Sequence, residues 1–106
     1  MRALEALADP TRRRIVELLA EHERDAGDIA SHFAVSRPAV SRHLRVLRQN
    51  GLVRSRGDAQ RRIYSLDPRP LAELDAWLAE YRAFWTNRLD ALETQLRRSR
   101  RQPKEK

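Results

Sequence analysis

The most constraining stretch of the chain is residues 36–53, SRPAVSRHLRVLRQNGLV. It reads as one short helix with two unlike faces. Ser36 stands where an N-cap side chain accepts a backbone N–H, and Pro38 falls in the first turn, where a missing N–H costs little. Gly51, just past Asn50, is a stop signal, because glycine takes the left-handed cap without steric penalty. Val40, Leu44 and Leu47 recur at i, i+4 and i+7 and so share one buried stripe. The other side carries Arg37, Ser41, Arg42, Arg45 and Arg48, with no acid among them. A solvated helix face ordinarily mixes both signs and favours acids near its N-terminus. An all-basic face forgoes that balance and implies a polyanionic partner.

The composition leans the same way. The chain has 106 residues, with 22 Lys+Arg against 15 Asp+Glu and a formal net charge of +7. That surplus fits nucleic acid or an anionic membrane surface. No apolar run is long enough to span a bilayer, and no charged-then-apolar start resembles a signal peptide, so the expectation is a cytoplasmic chain with no membrane partner. Without cysteine there is no disulfide framework and no thiolate metal site. The length favours one domain with a modest core.

Upstream, Leu4 and Leu7 give residues 1–8 a short helical pattern that needs something to dock on. Asp9-Pro10 then restarts the chain as N-cap and first helical residue. Ile15, Leu18 and Leu19 form the buried side of the next helix, and Arg12, Arg13 and Arg14 sit in its first turns as a solvated face, with a phosphate contact by one of them as the alternative. Residues 21–26 are polar and read as a loop. A second short helix follows, capped by Asp28 or Asp25, with Ile29, Ala30 and Phe33 inward and a tight turn at Ala34-Val35. Helix, turn and the Ser36 helix together have helix-turn-helix spacing.

After Gly51 the period changes. Residues 52–56 and 61–66 are strand-like, and Gly57-Asp58-Ala59-Gln60 is the turn between them. Arg54, Arg56, Arg61 and Arg62 flank the tip of this hairpin, while Tyr64 and Leu66 share a face that packs on the helices. A basic hairpin directly after a basic helix reads as a wing; the plainer alternative is a hairpin whose arginines keep it soluble and blunt its edge.

Asp67-Pro68-Arg69-Pro70 punctuates the chain, and residues 71–96 read as one long helix. Leu74, Leu78, Tyr81, Trp85, Leu89, Leu92 and Leu96 advance by three or four into a continuous stripe, with Leu71, Trp77 and Phe84 beside it. A small domain has one core to offer, so part of so wide an apolar surface is expected to meet a second copy; the plainer alternative is a helix folded wholly onto its own core. The expected dimer interface is Leu4, Leu7, Leu78, Tyr81, Trp85, Leu89, Leu92 and Leu96. Residues 1–96 then form one domain, and 97–106, RRSRRQPKEK, a basic disordered tail.

The run SRPAVSRHLRVLRQNGLVRSR, the later RRIYSLDP and the earlier ALADPTRRRIVELL resemble the ArsR/SmtB family of winged helix-turn-helix repressors. The likeness spans nearly the whole chain. It implies a mostly α fold with a small β-hairpin, terminal helices that form a homodimer interface, and binding to a pseudo-palindromic operator in double-stranded DNA. The resemblance makes residues 36–50 the recognition helix and 54–62 the wing. The DNA-binding set is then Ser36, Arg37, Pro38, Ser41, Arg42, His43, Arg45, Arg54, Arg56, Arg61 and Arg62. His43 flanks the Val40/Leu44 stripe, a place suited to supporting the helix or reaching a phosphate rather than reading a base.

The departures from the family are informative too. Its arsenic and cadmium sensors carry cysteines where this chain has Asp25-Ala26-Gly27-Asp28. Its zinc and nickel sensors carry histidine on the last helix, where this chain has Asp75, Glu80, Asp90 and Glu93 and no histidine. His22, His32 and His43 form no ligand cluster at helical spacing. Carboxylates alone make a poor site for a borderline metal, so neither metal sensing nor any cofactor is expected, and an effector is left unassigned.

Rival readings fare less well. An enzyme lacks support: there is no nucleophile motif, no glycine-rich phosphate loop and no paired carboxylates beside a histidine. An RNA reader needs an exposed aromatic platform, and here the Trp and Tyr residues fall at core spacing. A winged-helix adaptor for an acidic protein and a non-specific basic DNA binder stay open, because fold does not fix function.

Overall fold

The computed structural model describes residues 2–101. Local signals fix most of the boundaries. Asp9 caps α2 (Pro10–Glu21), its carboxylate accepting from the Arg12 N–H at 3.0 Å, after the short α1 (Arg2–Leu7). Of the two candidate caps for the next helix, Asp25 is the one used: it accepts from the Asp28 N–H at 2.8 Å and opens α3 (Ala26–Ala30). Ser36 caps α4 (Arg37–Gln49) through the Ala39 N–H at 3.3 Å.

The end of α4 is closed by a glycine and two backbone hydrogen bonds. Gly51 has φ +76, its N–H reaches Arg48 O at 3.0 Å, and the Leu52 N–H reaches Leu47 O at 3.0 Å. This is the Schellman pattern, with Leu47 and Leu52 as its apolar pair; both are fully buried. It turns the chain straight into β2 (Val53–Asp58), which pairs antiparallel with β3 (Arg61–Leu66).

The chain divides into two units, Met1–Leu74 and Asp75–Lys106. The core of the first unit gathers the stripes read from the sequence. Ile15 and Leu18 of α2, Ile29 of α3, Val40, Leu44 and Leu47 of α4, and Leu52 are all fully buried. Ala3 and Ala6 of α1 join them, and Tyr64, Leu66 and Leu71 pack against the edge. Each buried aliphatic side chain contributes about 1.5–3 kcal/mol of transfer free energy, so these few side chains hold α4 in place.

Several sequence expectations are corrected. The segment read as a loop contains β1 (Arg24–Asp25), which pairs antiparallel with β3 and gives the sheet order β1-β3-β2. Its polarity hid it: Arg24 is 9% exposed, and its guanidinium bonds Glu21 at 2.6 Å, Asp28 at 2.8 Å and Leu18 O at 3.1 Å. The connection from α3 to α4 spans residues 31–36 rather than Ala34-Val35 alone. The hairpin turn is Ala59-Gln60; Gly57 and Asp58 are paired strand residues opposite Arg62 and Arg61.

The expected single helix over 71–96 is two. α5 (Pro68–Ala79) starts earlier, and α6 (Arg82–Arg101) begins after a break at Glu80-Tyr81. Two i→i+3 bonds, Glu80 N–H to Trp77 O and Tyr81 N–H to Leu78 O, close the last turn of α5. No glycine or proline marks the break, so the apolar stripe reads through it. The Trp77 and Tyr81 rings pack at 5.3 Å across this bend, and Arg82 reaches Asp75 at 3.4 Å. The first residues of the expected tail, 97–101, are the last turn of α6 rather than disordered; residues 102–106 lie outside the described set.

Candidate nucleic-acid interface

The outer face of α4 is built as its sequence pattern requires. With Val40, Leu44 and Leu47 turned inward, Arg37, Ser41, Arg42, Arg45 and Arg48 are exposed. Arg37, Arg42 and Arg45 have no carboxylate partner among the described residues. Pro38 is exposed in the first turn, and the Ser36 hydroxyl is engaged by its cap. Arg2 donates to Gln49 O at 2.7 Å and so satisfies one of the carbonyls left open at the end of α4.

His43 lies elsewhere. Its ring is half-buried against the start of α2, with Nδ1 3.7 Å from Asp9 Oδ2 and 3.5 Å from Arg12 Nη1. Asp9 in turn is the α2 cap, and the Arg12 backbone N–H is the main cause of its lowered pKa, with the nearby His43 adding to it. These contacts set the His43 ring against the start of α2.

The hairpin divides its arginines between two faces. Strand alternation puts Val53, Ser55 and Gly57 on one side with Leu66, Tyr64 and Arg62. Arg54, Arg56 and Asp58 share the other with Ser65, Ile63 and Arg61. On that second face every arginine has an acid. Arg54 pairs with Asp67 at 3.2 Å, Arg61 with Asp25 at 3.2 Å, and Arg56 grips Glu23 through two bonds of 2.6 and 2.7 Å. Those two bonds lower the Glu23 pKa and raise that of Arg56. Arg62 differs: it donates to the Ser55 hydroxyl at 3.2 Å, as does Arg48 of α4 at 3.3 Å.

Sequence reasoning therefore grouped four wing arginines that the fold separates. It also left Arg48 out of the site although Arg48 shares the face of Ser41 and Arg45; the i, i+4, i+7 spacing of those three was the available signal. Ser55, the shared acceptor of Arg48 and Arg62, carries no signal in sequence as an isolated serine in a strand.

A helix-turn-helix followed by a hairpin, with an unpaired basic face on the second helix, defines a winged helix-turn-helix protein. Residues 9–55 match the family model described as bacterial regulatory protein, arsR family. The chain is 50% identical to the HTH-type transcriptional regulator Rv2034 of Mycobacterium tuberculosis, over 83% of this chain and 79% of that protein. It is 38% identical to the transcriptional repressor SdpR of Bacillus subtilis, over 72% of this chain and 84% of that one. A crystal structure described as a possible transcriptional regulator for arsenical resistance resembles it at TM-score 0.72 and 45% identity, covering 90% of this chain and 96% of that one. The chain belongs to the arsR family of bacterial transcriptional regulators and, like these relatives, falls in a class of regulators rather than enzymes.

Proposed function

We propose that the chain is a homodimeric, cytoplasmic repressor that binds an inverted-repeat operator in duplex DNA and takes no metal as its signal. The observation that carries this reading is the exposed α4 face, where Arg37, Arg42 and Arg45 have no acid to neutralise them among the described residues. Cations left open in this way bind phosphates with release of counterions, which makes affinity salt-dependent. An arginine that reaches the groove floor forks onto guanine O6 and N7, and the Ser41 hydroxyl serves several base edges. Two copies related by a twofold axis set two such helices about 34 Å apart, one turn of DNA. Repression follows when the dimer covers the site that polymerase needs.

The dimer reading rests on Leu4, exposed on α1, and on Phe84, Leu89, Leu92 and Leu96, each half or more exposed on α6. Against a metal signal stand the donors. The chain has no cysteine, no group of three metal-ligating side chains occurs among the described residues, and His22, His32 and His43 contact separate partners. No described helix is long and apolar enough to cross a membrane.

The test is a titration against the DNA upstream of the coding region, with random duplex as competitor and salt varied. Strong preference at one dimer per inverted repeat is the expected result. Equal, steeply salt-dependent binding to both would reduce the reading to a non-specific basic binder. No binding to either would move the target to an acidic protein.

A further inference from the structure

Arg48 of α4 and Arg62 of β3 come from different elements yet donate to the same oxygen, Ser55 Oγ, at 3.3 and 3.2 Å. Neither has a carboxylate partner among the described residues, whereas Arg54, Arg56 and Arg61 of the same hairpin all do. Two guanidiniums on one neutral hydroxyl leave their charge uncompensated, because serine supplies lone pairs and no counter-charge. The fold holds them there. Arg48 sits in the last turn of α4, just before the Gly51 cap, and Arg62 stands opposite Gly57 in the hairpin, where there is open space beside the glycine. Between the two elements lies a surface cleft of about 350 Å³ lined by Ser41, Leu44, Arg45, Arg48, Arg62 and Tyr64. Its donors are three guanidiniums and two hydroxyls, with no carboxylate in the lining. That set matches a tetrahedral oxyanion, which guanidinium forks bind in two-point fashion.

We propose that this cleft is a phosphate seat, in which Arg48 and Arg62 together clamp one backbone phosphodiester of duplex DNA and Ser55 holds the two guanidiniums in position beforehand. The choice of DNA as the source of the phosphate rests on the function proposed above; the chemistry of the seat does not. Ser41 and Arg45 line the cleft and also belong to the outer face of α4, so a phosphate seated here lies at the edge of the groove that α4 enters. One phosphate held from both helix and hairpin fixes the angle between them, and phosphate contacts of this kind set register rather than sequence.

Two measurements on the full chain test this. The first is binding to random duplex over a range of salt for the wild type, R48A, R62A, the double variant and S55A, with R14Q as a charge-changing control outside the cleft. The double variant is expected to lower the slope of log affinity against log salt by about 0.9, the value for one phosphate. The two single losses are expected to be coupled rather than additive, and S55A to fall between wild type and the double variant. A slope loss twice as large, with additive single losses, means two separate phosphates and overturns the proposal. Unchanged binding in the double variant overturns it while leaving DNA binding intact. The second measurement follows the side-chain Nε–H signals of Arg48 and Arg62 in labelled protein titrated with inorganic phosphate. If duplex does not bind but both signals move together while that of Arg14 stays, the seat stands and its ligand is a free phosphate group. If neither duplex binds nor the signals move, the seat is overturned along with the DNA reading.

Discussion

Arg42 and Arg56 are the same residue type in one small unit, and their surroundings give them opposite prospects. Arg42 is exposed without an acid among the described residues, whereas Arg56 is held by two bonds to Glu23. A phosphate or base offered to Arg56 must first displace Glu23. Arg42→Ala is therefore expected to weaken operator binding by about 1–3 kcal/mol and to relax preference at one base pair. Arg56→Ala should cost much less and shift all sequences alike. Competition titrations over single-base operator variants distinguish the two; equal losses would show that the ion pair does not matter. Asp67 is a buried carboxylate held between two arginines. It is 4% exposed and accepts from Arg69 at 2.6 Å and Arg54 at 3.2 Å. The Arg69 guanidinium first, then the Arg69 backbone N–H and Arg54, hold its pKa well below the ordinary 3.8. A carboxyl with a depressed folded-state pKa contributes stability above its unfolded value, and that stability is lost as pH falls through the folded one. Asp67→Asn should thus lower the melting temperature at neutral pH, and the gap to wild type should close on acidification below about pH 4. A gap that stays constant with pH would assign the loss to packing alone. Legibility at this scale follows locality. Caps such as Asp9 and Ser36 act within three residues and are readable in the sequence. The partners Glu23 for Arg56 and Asp25 for Arg61 lie more than thirty positions away, and only the fold brings them together.

At the scale of the elements, two turns on either side of β2 behave in opposite ways. Gly51 has φ +76 and ends α4; an added Cβ would meet only Pro70 Cγ at 3.8 Å, an ordinary contact. The cost of Gly51→Ala is then backbone strain alone, about 1–2 kcal/mol, read as a lower urea midpoint with an unchanged slope. At the hairpin tip the left-handed residue is Ala59, with φ 56, which carries the same kind of strain in the native protein. Ala59→Gly should relieve it and raise stability by about 0.5–1 kcal/mol, after allowing for the freer unfolded chain. A destabilised variant would show that Ala59 packs or is not left-handed in solution. The same position explains why the turn was misread. Gly57-Asp58 is a strong turn signal in sequence, yet both residues are paired in strands and the turn falls on Ala59-Gln60. The missed β1 has a similar cause: it is two residues long, polar and defined wholly by its pairing with Tyr64 and Ile63. The break between α5 and α6 leaves no mark either, because heptad-like spacing continues across Glu80-Tyr81. The hydrophobic stripes of α2 and α4, by contrast, were legible residue by residue, since burial there follows the helical period.

For the whole molecule the open question is what covers α6. Isolated exposed leucines are ordinary, but Leu89, Leu92 and Leu96 are 59%, 51% and 50% exposed and recur on one face of a helix of 20 residues, about 30 Å long. Phe84, 60% exposed, carries the Arg88 guanidinium over its ring at 4.4 Å, which shields only one side. Apolar side chains recurring on one exposed face are what the proposed dimer would cover. The proposed second copy makes a sharp prediction. The chain should sediment at twice its 12.4 kDa mass, and Leu92→Glu, a change at an exposed position, should return it to the single-chain mass with its helical content kept, its melting temperature then no longer depending on protein concentration. Trp85→Ala should also break the dimer, but Trp85 is half-buried, so its loss mixes packing with association. Losing the dimer converts two linked half-site contacts into one. Affinity for an inverted repeat should then fall by roughly 10²–10⁴, while affinity for an isolated half-site stays where it was. A Leu92→Glu chain that still sediments as a dimer moves the interface off this face of α6, and Leu4 on α1, also exposed, becomes the next position to charge.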